Sequence, residues 1–433
     1  MTSSLIFIFL IGLGLSFVAI ANAKGAKLFT FAFLFPTVTV AFVLVEFSDF
    51  VLNAGTLFDI YYQTGTINIA LFMLATCSIA GLVGYGFTRS SSAASTPLGE
   101  RFILSRGAVQ HMHFASIALG AVSLGAFFAL AGLGGGMWQY VLNSGSYAIE
   151  WSGLPVYLIF LVRLCYVSIV IQLWLWSYTR KRKHLIWALF LSIIPLINIL
   201  FLFRRAEAIK VGVFYGYFLT NYHGLKMGRI KALGGIVFMY LAFKLFPFLR
   251  SEEGKSRDAD DLIGEALSPR ATYENSEIGS GLVRIYHSME TGVFEYGAVF
   301  YNAFIKQFVP AGLFGPQAKD NLYLPVIENS DTYFTTFRFY VSPMGFAQAY
   351  QQFWIFGGVL FLIVGSIMAA LENNARKSKR AEIFLVLMIP VAISTVSADM
   401  TYIVPQFVIY LVMVLLCVPP PSRARRGAPP RHE

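Results

Sequence analysis

Long apolar runs constrain this sequence more than any other feature. Runs of about 20 mostly apolar residues, the length that crosses a bilayer, recur along most of the 433 residues. Hydrophobic residues make up 57% of the chain and charged residues only 13%, about half the charged share of an average soluble domain. A soluble core of this size does not bury that much apolar surface. The sequence therefore predicts an all-α polytopic membrane protein.

The runs predict about 11 transmembrane helices. They lie near residues 3–23, 28–48, 67–87, 113–135, 153–177, 185–203, 208–222, 231–249, 346–371, 383–399 and 402–419. The run at 208–222 is the weakest, because it is short and rich in Tyr. Only residues 398–401 separate the last two runs, so a re-entrant hairpin is an alternative there. No Lys or Arg precedes the first run, which favours a retained helix over a cleaved signal peptide.

Basic loops predict the orientation. Residues 179–184, 223–231 and 376–380 and the tail at 423–431 are rich in Lys and Arg. With eleven spans, all four segments fall on one side, and the positive-inside rule makes that side the cytoplasm. The expected location is the bacterial inner (plasma) membrane, with the N-terminus outside and the C-terminus cytoplasmic. One missed helix would place these segments on both sides, so their agreement supports the count.

The spans divide the chain into four parts. Residues 1–250 hold the first eight helices, and residues 346–419 hold the last three. Residues 251–345 form a large extracytoplasmic loop with predicted amphipathic helices, and residues 420–433 form a basic cytoplasmic tail. The large loop has 13 acidic and 7 basic residues, whereas the whole chain has a net charge of +10. The excess positive charge therefore lies mainly in the other parts, where it anchors topology against anionic lipid, and it does not indicate nucleic-acid binding.

Neither a metal site nor a disulfide framework is predicted. Cys77, Cys165 and Cys417 all lie within apolar runs, without CxxC pairs or metal-ligand spacing. No cofactor or nucleotide motif is visible, so an activated lipid donor is the expected energy source of any transferase here.

Arg163 is a candidate ligand-binding residue because it lies near the middle of the fifth predicted span. Charged side chains inside spans are costly and often functional. Arg163 is predicted to bind an anionic ligand in a water-filled cavity. The alternative is a structural pairing with a buried carboxylate or with backbone carbonyls.

A second group of cations follows the sixth span, on the predicted outer side. Arg204, Arg205 and Lys210 lie where the positive-inside rule disfavours them. A guanidinium can bind phosphate through two hydrogen bonds, and Lys adds a point charge, so a pyrophosphate-binding site is predicted. The alternative is headgroup anchoring combined with an i,i+3 ion pair between Glu207 and Lys210.

The outer loop contains a third candidate group. Arg284, His287 and Glu290 are spaced one helical turn apart. His287 and Glu290 are the candidate catalytic base and its orienting partner, and Arg284 is a candidate phosphate ligand. The alternative is a solvated helix face. Asp399, near the outer end of a span, is equally compatible with a cap and with a salt bridge.

The sequence resembles the Wzy-type oligosaccharide repeat-unit polymerases of bacterial O-antigen and exopolysaccharide synthesis. The likeness lies in the many spans, the single large outer loop late in the chain and the Arg-rich segment 203–210. Segments 295–301 and 308–319 are similar to the family's Tyr-Gly, Pro and Lys motifs, and segment 345–358 is similar to its Gly-rich re-entry into the membrane. The small residue and Gly that flank the family's Arg are absent around residues 204–205.

This resemblance implies the fold of integral-membrane glycosyltransferases. The implied reaction transfers an undecaprenyl-pyrophosphate-linked glycan to the terminal sugar of another lipid-linked repeat at the outer face of the inner membrane. The implied partners are this lipid-linked glycan, the bilayer, a chain-length regulator and a flippase, without a metal or another cofactor. Arg and Lys side chains would stabilise the leaving pyrophosphate, and Tyr296, Tyr301 and Tyr340 would stack on sugars.

Three other functions remain open at the level of sequence. An O-antigen ligase would use the same cations with a different acceptor. A polysaccharide or lipid transporter would act without catalysis and is expected to show inverted repeats, which are not visible here. A structural partner of an assembly complex would have no chemistry.

Overall fold

The structure is entirely helical in the residues that it describes. This computed structural model describes residues 2–22, 28–53, 64–89, 105–133, 136, 154–200, 205–225, 277–309, 311–324 and 344–420. Within these ranges there are helices and turns but no strand. Each predicted apolar run coincides with one or more helices, except 231–249, which lies outside the described residues. The all-α prediction is confirmed for this part of the chain.

The helices are numbered here in chain order. Before the large loop lie α1 (Thr2–Asn22), α2 (Phe31–Val38), α3 (Val45–Asn53), α4 (Thr64–Thr88), α5 (Arg106–Leu133), α6 (Leu154–Val162), α7 (Leu164–Thr179), α8 (Arg182–Leu191), α9 (Ile193–Leu200) and α10 (Arg205–Tyr222). After them lie α11 (Glu277–Thr291), α12 (Ala298–Phe308), α13 (Ala311–Phe314), α14 (Pro316–Asp320), α15 (Gly345–Phe353), α16 (Gly358–Ala375), α17 (Lys379–Ser394) and α18 (Ile403–Cys417). A π-helical turn joins α2 to α3, and 3-10 turns follow α15 and precede α18.

Six helical stretches are long and apolar enough to cross a membrane. They are Ser4–Asn22, Phe31–Ser48, Gly65–Thr88, Arg106–Leu133, Tyr157–Thr179 and Gly345–Ala375. A seventh is present if α8 and α9, which meet at 41°, form one span. Helix α18 is apolar but shorter. The described residues thus have the helices of a membrane protein, while the count of eleven and the orientation remain predictions.

Two helices, α7 and α17, lie at the centre of the bundle. Nearly every side chain of α17 is buried, and α17 packs against α2, α7, α10, α16 and α18. Residues 164–175 of α7 are all buried. By contrast, α1 exposes most of its large apolar side chains. Helices that are apolar all round belong in a core or in lipid, and here both positions occur.

Glycines allow α4 and α16 to pack very closely. A Cβ added to Gly84 would lie 2.2 Å from the Leu362 carbonyl oxygen, and one added to Gly365 would lie 1.9 Å from the Gly81 carbonyl oxygen. Small residues permit this close approach between membrane helices. Since α15 immediately precedes α16, this contact also fixes where α15 lies.

The chain reverses sharply after α15. Trp354 has a φ of +52° and ends the helix. A Cβ on Gly357 would lie only 2.3 Å from the Ala349 carbonyl oxygen, although eight residues of continuous helix would separate the two by about 12 Å. The turn at Trp354–Gly357 therefore folds back on α15. This reversal leaves α15 packed against α11 and α4.

Candidate functional site

Four of the predicted site residues belong to the transmembrane part, and two of them, Arg163 and Lys210, lie in one charged cluster. Arg163 lies at the break between α6 and α7 and is half-buried. Lys210 on α10 places its Nζ 3.2 Å from Glu207 Oε1 and 4.7 Å from the centroid of the Tyr166 ring. The backbone N–H of Tyr166 donates to the Arg163 carbonyl at 3.2 Å. The break in α6–α7 therefore brings Arg163 and the Lys210 site to the same turn.

Helix α18 completes this cluster with Tyr410. The Tyr410 side chain is buried, and its hydroxyl is close enough to Arg163 and Glu207 to be influenced by both charges. We call Arg163, Tyr166, Glu207, Lys210 and Tyr410 the cation cluster. It has two cations and one carboxylate, and the Oε2 atom of Glu207 is buried without a hydrogen-bond partner. The Glu207–Lys210 pair considered as the structural alternative is thus formed, but it satisfies only one carboxylate oxygen.

The remaining predicted cations of this region are only partly described. Arg205 is the first residue of α10 and lies five residues before Lys210. Only its backbone position is described. Arg204 lies outside the described residues. The pyrophosphate-binding role predicted for both arginines remains a prediction.

The candidates of the large loop lie on α11, where Arg284 joins a largely buried polar network. Arg284 Nη1 donates to Gln351 Oε1 at 2.6 Å, and Gln351 Nε2 donates to Glu295 Oε1 at 3.0 Å. Gln352 Nε2 donates to the other oxygen of Glu295, and Gln352 Oε1 accepts from the Gly297 backbone N–H at 2.9 Å. We call Arg284, Glu295, Gln351 and Gln352 the glutamine network. Through this network, a side chain of α15 fixes the orientation of the Arg284 guanidinium on α11.

The third glutamine of α15, Gln348, contacts the 3-10 turn that precedes α18. Gln348 Nε2 donates to Asp399 Oδ1 at 2.7 Å, and Gln348 Oε1 accepts from the Met400 backbone N–H at 2.6 Å. The same Asp399 oxygen accepts from the Thr401 backbone N–H at 2.8 Å. Asp399 therefore acts as a cap of the 3-10 turn before α18, one of the two roles predicted for it. Positions 348, 351 and 352 share one helix face, so α15 connects α11 to the start of α18.

His287 and Glu290 follow Arg284 at one and two turns along α11. Burial lowers the pKa of His287 below its ordinary value. At neutral pH its imidazole is therefore mainly neutral and able to accept a proton. Glu290 is exposed. The predicted spacing on one helix is confirmed, while the roles of both residues remain predictions.

Sequence reasoning missed Glu382, the most deeply buried carboxylate described. It is fully buried on α17 and accepts hydrogen bonds from Trp174 Nε1 at 2.8 Å, Tyr222 Oη at 2.5 Å and Tyr217 Oη at 3.4 Å. We call these four residues the Glu382 cage. Glu382 stands beside the basic segment 376–380 and just before a predicted span, so its sequence context indicates a headgroup-level residue. The only feature of the sequence that indicated partners for Glu382 was the presence of aromatic residues with hydrogen-bond donors, namely the indole N–H of Trp174 and the hydroxyls of Tyr217 and Tyr222.

In the part of the chain that the structure describes, these observations define an all-helical protein of the membrane type with the cation cluster, the Glu382 cage and a polar network between α11 and α15. Among the described residues, no group of three His, Cys, Asp or Glu side chains is placed to hold a metal ion. The sequence matches no protein-family model, and neither curated proteins nor solved structures include a significant match.

Proposed function

We propose that the chain is a membrane glycosyltransferase that polymerises lipid-linked oligosaccharide repeat units into O-antigen or exopolysaccharide. The observation that carries the proposal is the cation cluster. Arg163, at the break between α6 and α7, lies near Tyr410, and Lys210 on α10 pairs with Glu207, whose charge also acts on Tyr410. Among the described residues of the cluster there are two cations and one carboxylate, and this composition suits an anionic ligand.

A pyrophosphate is the anion that this arrangement fits. The leaving group of the proposed reaction gains negative charge as the sugar–phosphate bond breaks, and fixed cations stabilise that charge. Charges interact more strongly in a partly buried site than in water. Glu207 pairs with Lys210 through a single oxygen. A phosphate oxygen can replace that carboxylate oxygen, and Lys210 then still has an anionic partner.

Helix α11 supplies the groups for the acceptor side of the reaction. The acceptor hydroxyl oxygen attacks the anomeric carbon, the bond to the pyrophosphate oxygen breaks, and the electron pair leaves with the pyrophosphate. The hydroxyl proton passes to a base, for which His287 and Glu290 are the candidates. The glutamine network holds Arg284 one turn from His287, which fixes a positive charge beside the base.

The test replaces each cation of the cluster by Met, which is an unbranched side chain without charge. Arg163→Met and Lys210→Met are introduced into a deletion strain, and polysaccharide length is read on silver-stained gels. Each change is expected to reduce polymer at least about 100-fold, as loss of one charge-stabilising group does in other enzymes, at unchanged protein level. Lys306→Met is the matched control, because Lys306 is an exposed lysine of α12. Normal chain length in both cluster variants would overturn the proposal.

A second candidate function is transport of a lipid-linked glycan. The supporting observation is the set of interrupted helices: the break at residue 163, the 41° bend between α8 and α9, and the reversal after α15. Transporters often bind substrates at such breaks. Purified protein in vesicles distinguishes the two functions. A glycosyltransferase releases undecaprenyl pyrophosphate from lipid-linked repeats, whereas a transporter moves them across the membrane intact.

A further inference from the structure

Two exposed aromatic residues have a strained backbone and lie together. Tyr296 has a φ of +44° and Trp354 a φ of +52°, values that non-glycine residues rarely adopt. Tyr296 is 75% exposed and Trp354 is 47% exposed. Strained conformations persist where the surroundings enforce them, and they are concentrated at functional sites.

Backbone hydrogen bonds connect the turn at Tyr296 to the end of α15. The N–H of Glu295 donates to the Gln351 carbonyl at 3.1 Å, and the N–H of Tyr296 donates to the Gln352 carbonyl at 2.9 Å. The turn that holds Tyr296 is thereby tied to the last residues of α15, directly before Trp354. The glutamine network holds the same turn, because the Gln351 and Gln352 side chains hydrogen-bond to the Glu295 carboxylate and the Gly297 backbone N–H. The two strained aromatic residues are therefore attached to a single rigid support.

Other rings extend this surface. The Phe294 ring centroid lies 6.3 Å from that of Trp354, and the Phe356 centroid lies 6.4 Å from it. Phe356 is also exposed. We call Phe294, Tyr296, Trp354 and Phe356 the aromatic platform. It follows the end of α11, since Phe294 is four residues after Glu290.

We propose that the aromatic platform binds a pyranose ring of the lipid-linked glycan by stacking. This inference deepens the proposed function and rests on it for the identity of the ligand. One face of a pyranose carries axial C–H bonds with positively polarised hydrogens, which suit the negative face of an aromatic ring. Stacking requires rings of fixed orientation, and the strained, hydrogen-bonded backbone fixes where these side chains emerge.

Membrane anchoring is the competing explanation for exposed aromatic residues. Anchoring residues do not require a strained backbone. Phe114, for example, is 67% exposed on the regular helix α5. The platform instead lies beside a buried polar network and next to the helix that carries Arg284, His287 and Glu290. This position favours a polar, ring-shaped ligand over the acyl region of a lipid.

The positive φ values allow a test that removes the rings without straining the backbone. Tyr296→Gly and Trp354→Gly remove the rings, while glycine adopts the same backbone conformation without strain. With lipid-linked repeats as substrate, each variant is expected to raise KM about 3- to 10-fold, the range that aromatic stacking contributes. The kcat should stay within about 2-fold, because the rings contact no reacting group. Tyr296→Phe keeps the ring and should behave as the wild type, and so should the control Phe114→Ala.

A binding measurement separates this inference from the proposed function. The oligosaccharide released by mild acid from the lipid-linked repeats of the host strain is titrated into the purified protein in detergent, and the heat of binding is recorded by calorimetry. Binding by the wild type and its loss in both glycine variants would support the platform even if no polymer were formed. An active wild type whose glycine variants keep its KM would overturn the platform and leave the polymerase intact. Absence of binding to the wild type, or glycine variants that insert into the membrane and bind as tightly as the wild type, would also overturn it.

Discussion

Glu382 is a fully buried carboxylate and Glu207 is a partly buried one, and their partners differ. Three neutral donors from two other helices surround Glu382, and both of its oxygens accept hydrogen bonds. Glu207 has one oxygen in an ion pair with Lys210 and one buried oxygen without a hydrogen-bond partner. A fully satisfied buried polar group rigidifies a structure, whereas a partly satisfied one is costly unless a ligand completes it. The comparison indicates a structural role for Glu382 and agrees with the ligand-binding role proposed for the surroundings of Glu207.

The largest expected effect on stability follows from replacing the Glu382 carboxylate by an apolar side chain. Glu382→Leu leaves the donors of Trp174, Tyr217 and Tyr222 in an apolar interior. Each unsatisfied donor costs about 1 to 3 kcal/mol, so the variant should lose about 3 kcal/mol or more of stability. Thermal unfolding in detergent measures this loss.

The matched control for this variant is Glu290→Leu, because Glu290 is exposed on α11. Its melting temperature should remain within a few degrees of the wild-type value. Equal stability of Glu382→Leu and the wild type would mean that the cage does not hold α7, α10 and α17 together.

The second prediction removes a single donor from the cage. Trp174→Phe keeps the ring in the core but deletes the N–H that bonds Glu382. A buried polar group left without its hydrogen-bond partner costs about 1 to 3 kcal/mol, so a loss of about 2 kcal/mol is expected. Trp176→Phe, on the same helix, is the control, because Trp176 stacks on His223 and Phe preserves that stacking. Similar losses in the two variants would show that ring size, and not the hydrogen bond, stabilises α7.

The sequence predicts the positions of these helices better than the contacts between their charged residues. Apolar length identifies a helix because lipid requires every backbone group to be bonded internally, and this requirement is local. The Glu207–Lys210 pair was also predictable, since it needs only i,i+3 spacing. The approach of Trp174 to Glu382 was not predictable, because 208 residues separate them and no local rule connects such positions.

The same limit applies to the outer-loop helices. The i,i+3,i+4 spacing of Gln348, Gln351 and Gln352 predicts a polar face of one helix, but their three-dimensional partners depend on the reversal after α15. A tryptophan at position 354 does not predict that reversal, because tryptophan rarely adopts a positive φ. Residues Gly357 and Gly358 were the available signal for it.

The third prediction concerns the carboxylate of the cation cluster. Glu207→Gln removes the charge that competes with a phosphate for Lys210. If the cluster binds pyrophosphate, KM for lipid-linked repeats should fall by up to about 5-fold, because a partly exposed ion pair contributes up to about 1 kcal/mol. Steady-state kinetics of purified protein provide the measurement. A rise in KM would instead assign Glu207 a positioning role for Lys210 and contradict simple competition.

The smallest expected effect concerns His287, which lies outside the predicted spans. Burial lowers its pKa in the folded protein below the ordinary value of 6.5, so the unfolded chain takes up a proton first as the pH falls. Stability should therefore be independent of this group above about pH 7 and should decrease as the pH drops below 6.5 towards the folded-state pKa. His287→Asn removes this dependence. The difference in melting temperature between wild type and variant, measured from pH 8 to pH 5, should shift against the wild type only below about pH 7. A difference that stays constant over this range would show that His287 is as solvated in the folded protein as in the unfolded chain, and would remove the reason for treating it as a neutral base beside Arg284.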